Sequence, residues 1–549
     1  MTTIPAEQPT TSTQGVAEPL ARSGLAMALG TVASRGTGFV RTIVIASAIG
    51  AAGVGNAYAV ANTVPNALYD LLLGGILSAV IVPLLVQAAH DDSDQGQAYT
   101  QRLVTIVAVV LTAVSIIAVV AAPLIISAYA HNARPEQRDL ATTFARFFLP
   151  QLLFYGLGAT FGAILNVRGS FVPPMWVPVL NNLIVIASGI AFIVITHTTP
   201  QPGHLTHTQT LVLAIGTTLG VIAQTVALLP SLRRVGFRLR ARWDWRGAGL
   251  RRAGPFAAWM LIYVITNQVG YLFVVLLSES VGNGRGTYAI YSYAFILFSL
   301  PYAVVAVTVI TALFPGMSRS AAEGDEPAVS GSLAQGLSLA GVLLVPATVL
   351  MVVAGPAIGA LVFQHGETTP ANAHLIGQVL VAFAIGLVPF SAFQMQLRAW
   401  LAVRDSKTPM FVNLWATGAN LAFDVIFYVT LPTHAKVIGL GLGYSLSYVI
   451  GTVIFTIKLR RRIRVTRRTH VIRTYVRLTV AGLFAAAAGE IVLRLIGEGA
   501  DSSPLRAFGT VLAVSAVALP VFIVLAHRMR VRELGQLVEL LPGRSRAAA

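Results

Sequence analysis

Apolar stretches long enough to cross a bilayer, which takes roughly 20 residues as a helix, recur from residue 24 to residue 528 with short polar breaks between them. None alternates with the period of two that marks a strand, and lipid offers backbone N–H and C=O groups no partner. The runs therefore read as helices rather than barrel strands. Fourteen spans are predicted, at about 24–50, 57–88, 103–129, 141–165, 174–196, 210–231, 254–278, 288–316, 331–353, 375–401, 409–431, 437–457, 474–496 and 505–527. The expected fold class is an all-α polytopic membrane protein.

Two stretches that follow predicted spans resemble each other: NVRGSFVPPMWVPVLNN at 166–182 and AVRDSKTPMFVNLWATGAN at 402–420. Val167-Arg168 and Val403-Arg404 are 236 apart, Pro174 and Pro409 are 235 apart, and Pro65 in span two lies 236 before Pro301 in span eight. A repeat of six spans returns the chain to its starting side, so the copies share one orientation and are related by an axis along the membrane normal. The predicted organisation is a disordered tail at 1–23, a first lobe at 24–231, a basic loop at 232–253, a second lobe at 254–457, a second basic loop at 458–473, two further spans at 474–527 and a tail at 528–549. The first twenty residues lack the basic and apolar segments of a cleaved signal.

Composition adds weight without changing the picture: 55% hydrophobic, 11% charged and a mean hydropathy of +0.74. The net charge of +17 raises nucleic acid as a partner, and its distribution removes it. With the N-terminus on the cytoplasmic side, 27 of the 38 lysines and arginines fall on that side and only Arg134, Arg138, Arg285, Lys436, Arg494 and Arg506 on the other. That asymmetry is the positive-inside pattern and predicts both termini in the cytoplasm. The loops LRRVGFRLRARWDWRGAGLRR and KLRRRIRVTRRTHVIR fit anionic lipid headgroups. Cysteine is absent, which excludes disulfides, thiolate metal sites and thiol catalysis.

Candidate chemistry lies inside the first two spans. SRGTGFVRT places Arg35 and Arg41 about 22 Å and 13 Å below the outer end of span one at Gly50. An intramembrane charge is costly unless it faces water or a partner, and guanidinium suits a phosphate-bearing ligand. Their six-residue spacing puts the two side chains about 120° apart, which only a broad cavity accommodates. Span two returns with Asn62, Asn66 and Asp70. Asp70 falls near the depth of Arg35, so an Arg35–Asp70 ion pair on the cavity wall is predicted; the structural alternative is that Arg41 snorkels outward and Arg35 merely neutralises Asp70.

These residues, together with Pro65-Asn66, Val82-Pro83, GAILNVRGSFVPP at 162–174, ALFPGMSR at 312–319 and VRDSKTP at 403–409, resemble the MurJ (MviN) lipid II flippases of the MOP exporter superfamily, over about residues 24–530. The resemblance implies export of an undecaprenyl-pyrophosphate-linked disaccharide pentapeptide across the bacterial cytoplasmic membrane by alternating access. It places the family's cavity arginines on Arg35 and Arg41, and gives spans thirteen and fourteen a role in guiding the lipid tail. The chain departs from many relatives at Thr42, where they carry aspartate, at Tyr69 and Asp70, where they carry basic residues, and at Ile296, where they carry arginine. Either Arg35 and Arg41 carry more of the load, or residues such as Arg146, Asn267 and Gln268 substitute.

In the second lobe ANLAFDVIF sets Asn420 and Asp424 on one helix face at i, i+4. Their oxygens suit a hard cation, and the superfamily resemblance favours coupling to Na+ or H+; a carboxyl satisfied by neighbouring hydroxyls is the structural alternative. No cofactor is expected. His197, His204 and His207 share a loop without carboxylate or thiol partners, and no nucleophile arrangement or phosphate-binding loop is present, so the chain is not expected to be an enzyme. Competing readings are an exporter of another polyprenyl-linked oligosaccharide or of drugs, a polyprenyl-phosphate enzyme, and a non-transporting scaffold for cell-wall synthesis proteins.

Overall fold

The computed structural model describes residues 14–70, 85, 94, 96–244, 254–281, 287–462, 468–497 and 503–539, and among them there is no strand. The first lobe holds α1 (Gln14–Ile49), α2 (Val54–Asp70), α3 (Gln97–Val120), α4 (Ala122–Tyr129), α5 (Pro135–Phe148), α6 (Gln151–Val167), α7 (Val172–Ile195), α8 (His207–Val226) and the short α9 (Leu229–Arg234). The second holds α10 (Gly254–Ser280), α11 (Tyr288–Pro301), α12 (Val307–Ala322), α13 (Glu326–Phe363), α14 (Pro370–Ala384), α15 (Leu387–Ala402), α16 (Lys407–Thr430) and α17 (Lys436–Arg462). α18 (Arg468–Ile496), α19 (Pro504–Arg528) and α20 (Arg532–Glu539) follow.

Eleven helical stretches among the described residues are long and apolar enough to cross a membrane, twelve if the bent pair α14–α15 is one span. The predicted fourteen are not all reached on that measure. Span one coincides with α1, and span two starts as α2 and continues into residues 71–84, which lie outside the description together with Val82 and Pro83. α1 begins ten residues earlier than predicted, so part of the expected disordered tail is helical.

Each lobe has its own core. In the first, Tyr58, Phe144, Phe148 and Phe192 are buried together; in the second, Phe298, Phe383, Phe393 and Phe455. A third cluster joins Val345, Val349 and Val353 of α13 to Leu478 of α18 and to Val514 and Phe522 of α19, so the two extra spans lean on the second lobe.

The duplication is visible in how broken helices are repaired. Between α5 and α6 the ladder breaks at Leu149-Pro150, where Thr218 Oγ1 of α8 donates to Phe147 O (2.8 Å) and Thr225 Oγ1 to Phe154 O (2.8 Å). Between α14 and α15, which meet at 51°, Ser445 Oγ of α17 donates to Ala382 O (2.6 Å) and Phe383 O (3.1 Å), and Thr452 Oγ1 to Pro389 O (2.8 Å). Hydroxyls on the last long helix of each lobe, α8 and α17, thus satisfy carbonyls that lipid could not. The following turn fixes the register. Ser170 N donates to Leu165 O and Asp405 N to Trp400 O, both 2.8–3.0 Å, closing the same six-residue helix stop. Left-handed Gly169 (φ 77) therefore corresponds to left-handed Arg404 (φ 58). Residue numbers differ by 235 here, so the Val-Arg match at 236 is one residue out of register.

The described part of the first basic loop is tied to α3. Arg102 Nε donates to Asp244 at 2.7 Å, Gln101 Nε2 to Arg238 O at 2.6 Å and Arg242 N to Thr105 Oγ1 at 3.0 Å. That hydrogen bond from Arg102 holds the exposed Asp244 carboxyl below its ordinary pKa. We call the side carrying this loop the basic end, and the other the far end.

Candidate functional site

Helix α1 is held by α7, and that contact orients the arginines. Trp176 Nε1 donates to Ala26 O (3.0 Å), and Asn182 Nδ2 donates to Ser34 O (3.1 Å) and Thr37 Oγ1 (3.0 Å). A Cβ on Gly38 would sit 3.4 Å from the Asn182 amide. Ser34, Thr37 and Gly38 therefore form the seam with α7, Gly36 has open space beside it, and the arginines project elsewhere.

Arg41 is half-buried and lines a chamber of about 210 Å³ with Asn62, Asn66, Tyr58, Asn181 and Thr217. Three of the predicted site residues, Arg41, Asn62 and Asn66, are thus brought together. Ile296 faces the same chamber. Arg35 lines neither this chamber nor its neighbour. It is exposed, about 9 Å nearer the basic end by helix rise, and lies within electrostatic range of Tyr302 in the second lobe. The six-residue spacing predicted the two side chains about 120° apart, and in the structure only Arg41 lines this chamber. Neither arginine makes a hydrogen bond or ion pair among the described residues. The Asp70 side chain, and with it the predicted Arg35–Asp70 pair, lies outside the described residues, as does that of Tyr69.

A second chamber of about 510 Å³ adjoins the first, the two sharing Asn66, Tyr271, Tyr288 and Ser292 as walls. Asn267 and Gln268 open onto it, as does Asn420, whereas Arg146 lines neither chamber and is exposed at the end of α5. Asn420 Nδ2 donates to Asp424 Oδ2 at 2.9 Å, so the two residues at i, i+4 do meet on one helix face. Asp424 is fully buried, its other oxygen Oδ1 has no partner among the described residues, and a side chain at Gly443 would collide with that oxygen. No group of three or more His, Cys, Asp or Glu able to hold a metal occurs among the described residues.

At the far end the lobes are joined. Asn56 at the start of α2 donates through Nδ2 to Glu279 Oε1 of α10 (2.7 Å) and accepts from Ala289 N at the first turn of α11 (3.1 Å). Asn56 is 0% and Glu279 1% exposed. Beside this clasp Glu367 N donates to Ser47 O (2.9 Å) and Thr368 Oγ1 to Ala46 O (2.8 Å). Gly50, at φ 73, lets the turn after α1 approach Glu367 O so closely that a Cβ would sit 2.9 Å from it. All four of these hydrogen bonds cross from one lobe to the other.

Two functional candidates escape the sequence reading. Glu279 lies one residue beyond the predicted span 254–278, in the polar stretch SES at the end of α10. Arg398 of α15 is exposed, lies 5.9 Å over the Phe314 ring, and shares with Arg35 the surroundings of Tyr302. The rule that singles out Arg35 and Arg41, an ionisable residue inside a span, applies to Arg398, whereas Glu279 falls just outside a predicted span and only the contact between lobes reveals it.

Comparison with known proteins gives consistent matches. The family described as "Lipid II flippase MurJ" matches residues 45–497. The probable lipid II flippase MurJ of Vibrio cholerae is 26% identical over 423 residues, 75% of this chain and 78% of that protein. The lipid II flippase MurJ of Burkholderia cenocepacia is 26% identical over 445 residues, 79% and 82%, and the probable one of Thermotoga maritima 26% over 478 residues, 86% and 93%. A solved lipid II flippase MurJ in an inward closed conformation superposes with a TM-score of 0.75 at 17% identity, over 94% of this chain and 100% of that one. An inward-facing MATE multidrug transporter of the MOP superfamily gives 0.62 at 14%, over 77% and 94%.

Proposed function

We propose, from the premise that this chain belongs to the MurJ family of lipid II flippases, that it translocates lipid II from the inner to the outer leaflet of the bacterial cytoplasmic membrane by alternating access. The observation that carries the reading is Arg41, without an ion-pair partner among the described residues, in a polar chamber between two lobes. A diphosphate headgroup cannot cross hydrocarbon bare, because its charges and hydrogen-bonding groups would be left unpaired there. A chamber bearing a guanidinium shelters it while the polyprenyl tail stays in lipid. Charge asymmetry supports placing the basic end and both termini in the cytoplasm. On that orientation the Asn56–Glu279 clasp closes the outer side.

Complementation tests this directly. In a bacterium depleted of its own lipid II flippase, the chain is expected to restore growth and to lower inner-leaflet lipid II, and Arg41→Ala is expected to abolish both. Growth supported equally by Arg41→Ala would sink the mechanism and favour a non-transporting scaffold.

The coupling charge is proposed to reside on Asp424. Support comes from the buried Oδ1, unpartnered among the described residues, and from Asn420, whose carboxamide faces the chamber. The pair supplies two side-chain oxygens, a fit to a proton or to Na+ completed by other ligands. Asp424→Asn should remove the dependence of transport on that ion; ion-dependent transport that survives the substitution rules the assignment out.

A further inference from the structure

The two chambers differ in chemistry. The smaller contains Arg41; none of the described residues lining the larger one is Lys, Arg, His, Asp or Glu. What the larger chamber offers instead is aromatic rings and carboxamides. Tyr291, Phe295, Phe390, Tyr444 and Tyr448 form part of its wall, and they brace one another: Phe390 and Tyr448 meet at 4.8 Å and 88°, Phe295 and Tyr444 at 5.6 Å and 85°. Ring orientations are therefore set by the protein before any ligand arrives. Around them stand Asn267, Gln268, Gln394, Asn413 and Asn420. Gln268 Oε1 is buried without a partner among the described residues.

A carbohydrate presents C–H faces and, around its edge, hydroxyl and N-acetyl groups that both donate and accept. Rings match the first, and carboxamides, which carry an acceptor and two donors on one side chain, match the second. A neutral wall also suits a neutral sugar better than it suits a diphosphate, which the arginine chamber takes. At about 510 Å³ the chamber falls within the size range of small-molecule sites. The diphosphate is bonded directly to the first sugar, so the two subsites must touch. The shared walls at Asn66 and Ser292 meet that requirement.

We propose that the larger chamber is the carbohydrate subsite: the second lobe reads the sugar moiety of the headgroup by aromatic stacking and carboxamide hydrogen bonds while the first lobe holds the diphosphate at Arg41. This rests on the reading of the chain as a lipid II transporter. It makes the cargo bridge the lobes, so that both move around one bound molecule.

The test compares binding of two probes, lipid II and undecaprenyl pyrophosphate, to the purified full chain in lipid nanodiscs by native mass spectrometry. Lipid II is expected to bind the wild type more tightly than the sugar-free diphosphate. Gln394→Leu and Tyr448→Leu should each weaken lipid II by about tenfold, the effect of removing one well-placed hydrogen bond or stacking ring, and leave the diphosphate within twofold, which also shows that the variants are folded. Arg41→Ala should weaken both. Unchanged lipid II affinity in both variants, or equal weakening of the two probes in a chain shown folded by its unfolding temperature, overturns the subsite. A wild type that binds neither probe brings down the transporter reading, and the subsite with it.

Discussion

At the residue scale the central fact is a change of company around Arg41. The family resemblance implies an arginine at the position of Ile296, and Ile296 lines the Arg41 chamber. The first chamber therefore has a single described cation where the family pattern would supply two. A guanidinium introduced at Ile296 would point into the same space, so Ile296→Arg is expected to restore part of the activity lost in Arg41→Ala, read as growth rescue in the depleted strain. No rescue from a stably produced double variant would mean that the position of the charge, not its presence in the chamber, is decisive. Arg35 answers to different surroundings. It looks across to Tyr302, and Arg35→Ala should slow transport without matching the loss from Arg41→Ala; equal loss from both would return Arg35 to the same binding site.

Among the elements, the far-end clasp has the clearest energetic consequence. Asn56 satisfies the N-terminal turn of α11 and one oxygen of a buried carboxyl at once. Replacing it with alanine strips donor and acceptor together, and stranding such groups costs about 2 kcal/mol, or roughly thirtyfold in a two-state equilibrium. The penalty falls on the state in which α2 and α11 are in contact, so Asn56→Ala should favour separation of the lobes at this end. The chain has no cysteine, so spin labels at Ala52→Cys and Glu367→Cys are the sole reporters. The distance between them is expected to lengthen in double electron-electron resonance when Asn56→Ala is added; an unchanged distribution would show that the neighbouring backbone bonds of Ser47 and Ala46 suffice. Much at this scale is legible in the sequence, including the duplication, the pairing of Asn420 with Asp424 and the attachment of polar residues to α2. The breaks at Pro150 and Gly386 are not, because their repair comes from hydroxyls some seventy and sixty residues away, and local pattern carries no such information.

For the whole molecule, orientation is the prediction that the rest of the mechanism needs. A membrane-impermeant maleimide applied to intact spheroplasts should label Glu367→Cys, at the far end, and label Arg240→Cys, in the basic loop, only after permeabilisation. The opposite pattern would invert the direction of the proposed transport. Orientation follows from charge because basic loops resist translocation, a property that loop composition carries without any fold.

The sequence by itself determined the membrane class, the near positions of the spans, the six-span repeat and the type of residue set at mid-depth, since each depends on local hydropathy or on identity along one helix. Tertiary structure decided which of two arginines faces the chamber, that Ile296 shares it, and that an asparagine and a glutamate from different lobes close one end. Those facts depend on how α1 rotates against α7 and on which helix ends meet across the lobe boundary. Side-chain direction on a helix turns by about 100° per residue, so a shift too small to alter the hydrophobic pattern is enough to move a charge from one wall to another.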